Sequence, residues 1–535
     1  MKRLVIAAIF ILLASFAYCV PPAPGVSPAG MPKDSVHKNT DVSAMIARGA
    51  PAWQVAKVIT PTGTKKLVVI FVQFSDKTFQ AGEVENYENA TTGYIKRMKD
   101  YISECSYGTF TLNTTLLTNL GSGYTLANTM GYYGINNEAL TADGTLFDDA
   151  CAAAGVTKAG GSYDALMVVH AGQGEESSGT STDIWSLFSD WSSRFPAIFP
   201  SGFTEGETVP AGEAGVLKPF GVLCHEFGHQ IGLPDLYNTN TGTSNVGKWD
   251  VMDYGAWVAN GDNPPHPSTW SKMQIGWISP TIVTSSANVT LNAFDTGSAN
   301  VFKLPVPGSL TEYFLLEFRR QSGKDSGLPG FGTLIWHIDD SMGTISMNNI
   351  NNTPTHLRVA LEEADKGADV DSNKGDSTDP FKESSLFTIP QSDGYVSPSF
   401  ITIFDFAGSG STAMTMRLSL IPATTTLSLT KTFNFPNPVR NAVSTTLRSV
   451  FSRPFTSATL KLYTLSGEMV LDVPLTNSNL QQTLSETNGE WTYDYVWNLT
   501  NTAGAQVGSG MYLYVVSAEI SGEKQVKTGK LAIVR

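Results

Sequence analysis

Residues 225–235 read HEFGHQIGLPD and close the apolar stretch 217–231, LKPFGVLCHEFGHQI. Pro219 near the start of that stretch and Gly232 just past its end mark Leu217–Ile231 as a helix. Positions four apart share one helical face, so His225 and His229 can present both imidazoles to one metal ion. Glu226, beside the first histidine, can reach the open position of such a metal. A carboxylate there can accept a proton from water and deliver it to a leaving group. A catalytic zinc site normally takes three protein ligands. Gly232 lets the chain leave the helix and double back, and Pro234 stiffens the turn. Asp235 then arrives as the candidate third ligand. The short pattern HExxH also occurs in helices with incidental histidines. Here its extension through Gly232 and Asp235, in a chain with only seven histidines, sharpens the metal reading.

A second element follows at Trp249–Gly255, WDVMDYG. A tight turn carrying a methionine beneath the metal is the mark of the metzincin metalloproteases, which this stretch resembles. Met252 would form an apolar floor under the histidines. The hydroxyl of Tyr254 is a candidate to stabilise an oxyanion; the plainer alternative makes both residues ordinary core.

The chain has 535 residues, enough for about three domains. Hydrophobic residues make up 41% and aromatic residues 10%, so sizeable cores can form. The formal charge is −13 and no Lys/Arg run occurs, which argues against nucleic acid or an anionic membrane as partner. Lys2 and Arg3 precede the apolar run Leu4–Ala17, as in a secretory signal peptide cleaved near Cys19. No later segment is apolar enough to span a membrane. Of the remaining cysteines, Cys105 and Cys151 leave two readings open, a bridge or buried thiols. Cys224 sits in the candidate helix.

The expected organisation is a signal peptide (1–19), a proline-punctuated prosegment or linker (20–62) that would cover the cleft, and a catalytic domain (63–285). A β-rich domain (286–422) and an immunoglobulin-like C-terminal domain (423–535) follow. KLVVIFVQF (66–74) and ALMVV (165–169) read as buried strands, alternating with helices in an α+β arrangement. Short strands such as 288–291, 313–318, 333–338 and 413–418 fill the next region. After the linker 421–430, six or seven short runs suit a β-sandwich.

Taken together, these stretches resemble the immune-inhibitor-A family of secreted bacterial metallopeptidases. The likeness rests on ALMVVHAGQGEESSG (165–179), HEFGHQIGLPDLY (225–237), WDVMDYGAW (249–257), WSKMQIGWI (270–278), EYFLLEFRRQ (312–321), GLPGFGTLIWHID (327–339) and DVDSNKGDSTDPF (369–381). The resemblance implies a metzincin-like zinc protease domain acting on extracellular proteins, with bound calcium, made as a secreted precursor. It places His225 and His229 as ligands, Glu226 as base and Asp235 in the third-ligand position. His170 and His337 read as structural, and the glycine-rich loop after His170 as the substrate rim. The acidic loop 362–379 offers Asp365, Asp369, Asp371, Asn373, Asp376 and Asp379 as calcium ligands. It is not an EF-hand, since its glycine falls at Gly375 and Pro380 takes the twelfth position. A solvated acidic loop is the plain alternative. The C-terminal region, with NFPNPVRN (434–441) and KTGKLAIVR (527–535), resembles Ig-like domains that serve export or surface attachment. The reading is therefore a secreted zinc endopeptidase. The competing reading is a surface adhesin with a vestigial metal site.

Overall fold

The computed structural model describes residues 17–26, 59–134, 142–156, 163–190, 201–206, 217–306, 309–345, 348–365, 370–383, 385–387, 400–408, 410–421, 428–452, 457–475, 480–484, 491–520 and 523–535. Most of the apolar N-terminal run, residues 27–58, Asp369 and the Asp371 side chain lie outside them.

The first sheet is built around β2 (Gly63–Gln73), whose central residues are apolar on both faces. Leu67, Val69 and Phe71 join one core with the helices α1 (Tyr94–Cys105) and α3 (Phe220–Gln230). Val68, Ile70 and Val72 join the opposite core with α2 (Ala142–Ala154). Burial on both faces is why this strand reads as a continuous apolar run rather than an alternating one. The other strands are β1 (Ala17–Cys19), β3 (Phe110–Leu117), β4 (Tyr124–Thr125), β5 (Ala165–His170), β6 (Leu187–Asp190) and β7 (Ser201–Gly206). Their order is β1-β6-β7-β5-β2-β3, with β4 also on β2. Strands β7, β5, β2 and β3 run parallel, and β6 runs antiparallel to both β7 and β1.

The catalytic-helix candidate begins at Phe220, not Leu217. The amide of Lys218 is engaged by Asn260 O at 2.8 Å, which holds the preceding residues outside the helix. Cys105, Cys151 and Cys224 are free and buried. Cys105 lies in the core on the α1 side of the sheet and Cys151 in the core on the α2 side, so the bridge reading is corrected to separate thiols. Burial pushes both thiols up to about 12.

A second sheet follows, in order β13-β12-β11-β10-β8, from β8 (Thr281–Ile282), β10 (Phe302–Pro305), β11 (Glu312–Arg319), β12 (Gly332–Asp339) and β13 (Val359–Glu362). One face of β11–β13 is not a separate core. Tyr313, Leu315, Leu334, Trp336, Val359 and Leu361 pack into the same cluster as α1 and α3. The other face, with Phe314, Leu316, Phe318 and Ile335, packs against β9 (Ala287–Asn292) and the hairpin Phe400–Ala407 and Ala413–Ile421. Residues 428–535 form a four-stranded and a five-stranded sheet around a core that includes Leu447, Phe451, Leu460, Tyr493, Trp497 and Leu531 and takes in Phe404 of the preceding hairpin.

Candidate metal centre and peptide groove

Helix α3 is buried along its whole length. Its C-terminal end places His225 and His229 on one face, and Gly232, at φ 102°, turns the chain out of it. The amide of Leu233 caps Gly228 O at 3.0 Å. An L residue with a Cβ is disfavoured at that φ, so the glycine is what permits the return of Pro234 and Asp235. The result is a tight triangle. His225 Nε2 lies 3.0 Å from Asp235 Oδ1 and 3.1 Å from His229 Nε2, and His229 Nε2 lies 3.3 Å from Asp235 Oδ1. Tetrahedral zinc with bonds of about 2.0–2.1 Å separates its ligand atoms by roughly 3.3 Å, so this donor set fits such an ion.

The outer nitrogens are fixed as well. His225 Nδ1 is 2.8 Å from Val251 O and His229 Nδ1 is 2.8 Å from Leu233 O. Donation from Nδ1 to a carbonyl leaves Nε2 with its lone pair facing inward, the tautomer a metal requires. Burial raises the Asp235 carboxyl, but the His229 and His225 imidazoles outweigh it and hold it down at about 2. Asn348 grips the same residue. Its Oδ1 accepts from Asp235 N at 2.7 Å, and its Nδ2 donates to Asp235 Oδ2.

Glu226 is fully buried, and its carboxylate is grouped with the two histidines. Met252 lies beneath the helix: a Cβ on Gly228 would meet its Sδ at 2.6 Å, so sulfur and helix backbone touch only because residue 228 is glycine. Among the described residues no hydrogen bond ties the Tyr254 hydroxyl to the histidine cluster, and its backbone N–H donates to Asp253 Oδ1 at 2.8 Å. Tyr254 packs against the cluster of Val20, Ala23, Val222, Ala256 and Trp257, with Lys374 Nζ 4.6 Å from its ring centroid. Burial pushes its hydroxyl up to about 12.

The turn around Met252 is itself clamped. Asp250 accepts from Met252 N, Ser268 N and Ser271 Oγ at 2.8, 2.8 and 2.7 Å. Trp249 Nε1 donates to Asp379 Oδ2 at 2.7 Å, tying the turn to the acidic loop. In that loop the structure groups Asp365 and Asp379 with Glu363. Asp379 is fully buried, and its Oδ1 lacks a hydrogen-bond partner among the described residues. Asn373 and Asp376 bond to each other at 3.1 Å, and Asp376 accepts from Thr378 N at 2.7 Å. His170 ends β5, buried, with Nδ1 3.2 Å from Ala171 O. His337 stacks on Phe314 between Glu312 and Glu362.

The sequence led us to expect a covering segment and a glycine-rich rim at the cleft, but it did not mark Trp185 and Trp257 in the groove above Glu226. Residues 17–26 run through it. Strand β1 pairs with β6, pairing Cys19 with Leu187. Val20 N then donates to Glu226 Oε1 at 2.9 Å. Trp185 Nε1 donates to Val20 O at 3.2 Å and Trp257 Nε1 to Pro21 O at 2.8 Å. Ala23 N donates to Glu176 O at 2.8 Å, within the glycine-rich loop. The Glu176 side chain accepts from Ser186 N and Ser186 Oγ at 3.0 and 2.9 Å, which fixes that wall to the start of β6.

Residues 149–279, which include α3, the Asp235 turn and the Met252 turn, match the family model for the immune inhibitor A peptidase M6 catalytic domain. This segment is similar to immune inhibitor A peptidase catalytic domains. A pre-pro-metalloprotease PrtV of Vibrio cholerae is 34% identical over 129 residues, which cover 21% of this chain and 14% of that protein. Immune inhibitor A of Bacillus thuringiensis subsp. alesti is 34% identical over 113 residues, 18% of this chain and 16% of that protein. The immune inhibitor A-like match therefore spans a small part of these relatives' length. Among solved structures, OgpA of Akkermansia muciniphila aligns over 88% of this chain and 93% of its own at 10% identity, with a TM-score of 0.23, which carries no argument about fold.

Proposed function

We propose that this chain is a secreted zinc endopeptidase. The observation that carries the reading is the convergence of His225 Nε2, His229 Nε2 and Asp235 Oδ1 beside the Glu226 carboxylate. The family match over the same residues supports it. Zinc held by these three residues would supply Lewis acidity, bringing a coordinated water to a pKa near about 7. Glu226 would take the proton from the attacking water and return it to the leaving amine. Tyr254 is the candidate oxyanion donor.

Glu226→Ala should cut casein hydrolysis by between about a hundredfold and ten thousandfold. Zinc content by metal analysis and the thermal transition should stay as in the parent. Full activity in that variant, or activity indifferent to 1,10-phenanthroline, would remove the reading in favour of a binding protein.

Glu363, Asp365 and Asp379 would hold calcium, since hard oxygens suit that ion and Asp379 Oδ1 lacks another partner among the described residues. Calcium at a hundred times its Kd should stabilise the fold by about 2.7 kcal/mol. The corresponding rise in melting temperature should vanish in Asp379→Ala. Equal rises in both proteins would exclude this loop as the site. The apolar N-terminus supports export, and residues 428–535 are the candidate attachment module.

A further inference from the structure

The residues that seat Val20–Ala23 form a reading frame for peptide main chain. Four contacts align along it in chain order: Val20 N on Glu226, Val20 O on the Trp185 indole, Pro21 O on the Trp257 indole, and Ala23 N on Glu176 O. Each joins this short segment to groove atoms through backbone N–H or C=O, so none depends on the identity of the side chains at 20–23. Val20 is fully buried and Ala23 nearly so. Both indoles are buried too, at 2% and 6% exposure, so their N–H groups face the groove rather than water. A buried indole N–H left without an acceptor is costly, and an extended peptide in the groove supplies one.

We propose that Trp185 and Trp257 are positioning residues for protein substrates. They would hold the substrate main chain on either side of the position now taken by Val20 and Pro21, and residues 20–26 would be an intramolecular competitor for that seat. The proposal rests on the endopeptidase reading. It adds which residues grip the substrate, that they grip backbone rather than side chain, and that the chain's own N-terminal segment contends for them. While Val20 N donates to Glu226 Oε1, the segment fills the place beside the base that a substrate would take, so seating of the segment and substrate binding compete.

The test begins with the full chain carrying Val20→Pro and Ala23→Pro. These remove the two donors of the segment and touch no groove residue. kcat/KM for a quenched fluorescent peptide should rise about tenfold. An N-acetylated peptide of residues 20–26, labelled with fluorescein, should bind the zinc-loaded variant in polarisation measurements and compete with substrate, raising KM at constant kcat. Trp257→Phe added to this background keeps the ring and deletes the N–H. One lost hydrogen bond of about 1 kcal/mol should raise both the peptide's Kd and the substrate's KM about fivefold, with kcat within a factor of two. A purely structural tryptophan would instead lower kcat and the melting temperature together. Absence of peptide binding, or an unchanged Kd in Trp257→Phe, overturns the proposal. Polarisation needs no turnover, so a chain that binds the peptide yet cleaves nothing would sink the endopeptidase reading and leave the groove assignment standing.

Discussion

At Asp235 a single side chain is steered by a residue 113 positions away, Asn348, which meets both its amide and its carboxylate. A partner that orients a ligand typically matters about 10–100-fold in metal affinity. Asn348→Leu should therefore weaken zinc binding by about that factor in competition with a chelating dye. The histidines, Glu226 and Asp235 were legible because helical spacing and a glycine exit fix their geometry locally. Asn348 was not, because a lone asparagine in a distant loop leaves no periodic trace. The same holds for Trp185 and Trp257, whose role is visible only once a peptide lies across them. His170 offers a separate check. Burial lowers it from 6.5 to about 4, so its neutral form is favoured by folding. The stability it contributes is fully present above about pH 6.5 and is lost as pH falls through about 4, a span worth about 3 kcal/mol. His170→Asn should flatten the fall in urea midpoint over that window. An identical slope in parent and variant would show that His170 is already protonated or solvated.

Among the elements, α3 and the turn after it hold the centre together. Gly232 sits at φ 102°, where an alanine is strained by roughly 1–2 kcal/mol. Gly232→Ala should lower the melting temperature, and apo protein should show the loss as clearly as zinc-loaded protein. The Met252 turn depends on its neighbours as well. Trp249→Phe strips Asp379 of its indole donor and should cost about 1–3 kcal/mol by chemical denaturation. An unchanged denaturation midpoint would show that water replaces the indole at no cost. The strands were easy to place from sequence: 165–169 became 165–170, 313–318 became 312–319, and 333–338 became 332–339. Their ends shifted because backbone pairing continues past the last apolar side chain, at Glu312 and Asp339 for example.

Over the whole molecule, composition divides the chain near residue 286, but packing does not. Each face of β11–β13 reads as apolar in the sequence, yet nothing in the periodicity says that one of them joins the cluster that also holds α1 and α3. A chain ending at residue 285 would lose the part of the shared cluster that β11–β13 supply, Leu315, Trp336 and Leu361 among it, and should show no cooperative thermal transition in calorimetry. A chain ending at residue 421 leaves the cluster of β11–β13 intact but uncovers Phe404, whose side chain is buried among residues 428–535, and should keep its casein hydrolysis with a lowered melting temperature. Loss of activity in the longer fragment would mean that the C-terminal unit supports the groove directly.

The tie between Asp235 and Asn348 also sets an order of assembly. Polypeptides are made from the amino end, so the histidine helix leaves the ribosome long before the asparagine that steadies its aspartate. While the stretch that ends at Asn348 is still to be translated, the Asp235 carboxylate lacks the side chain that orients it, and the pocket would take up its ion more weakly until synthesis is well advanced.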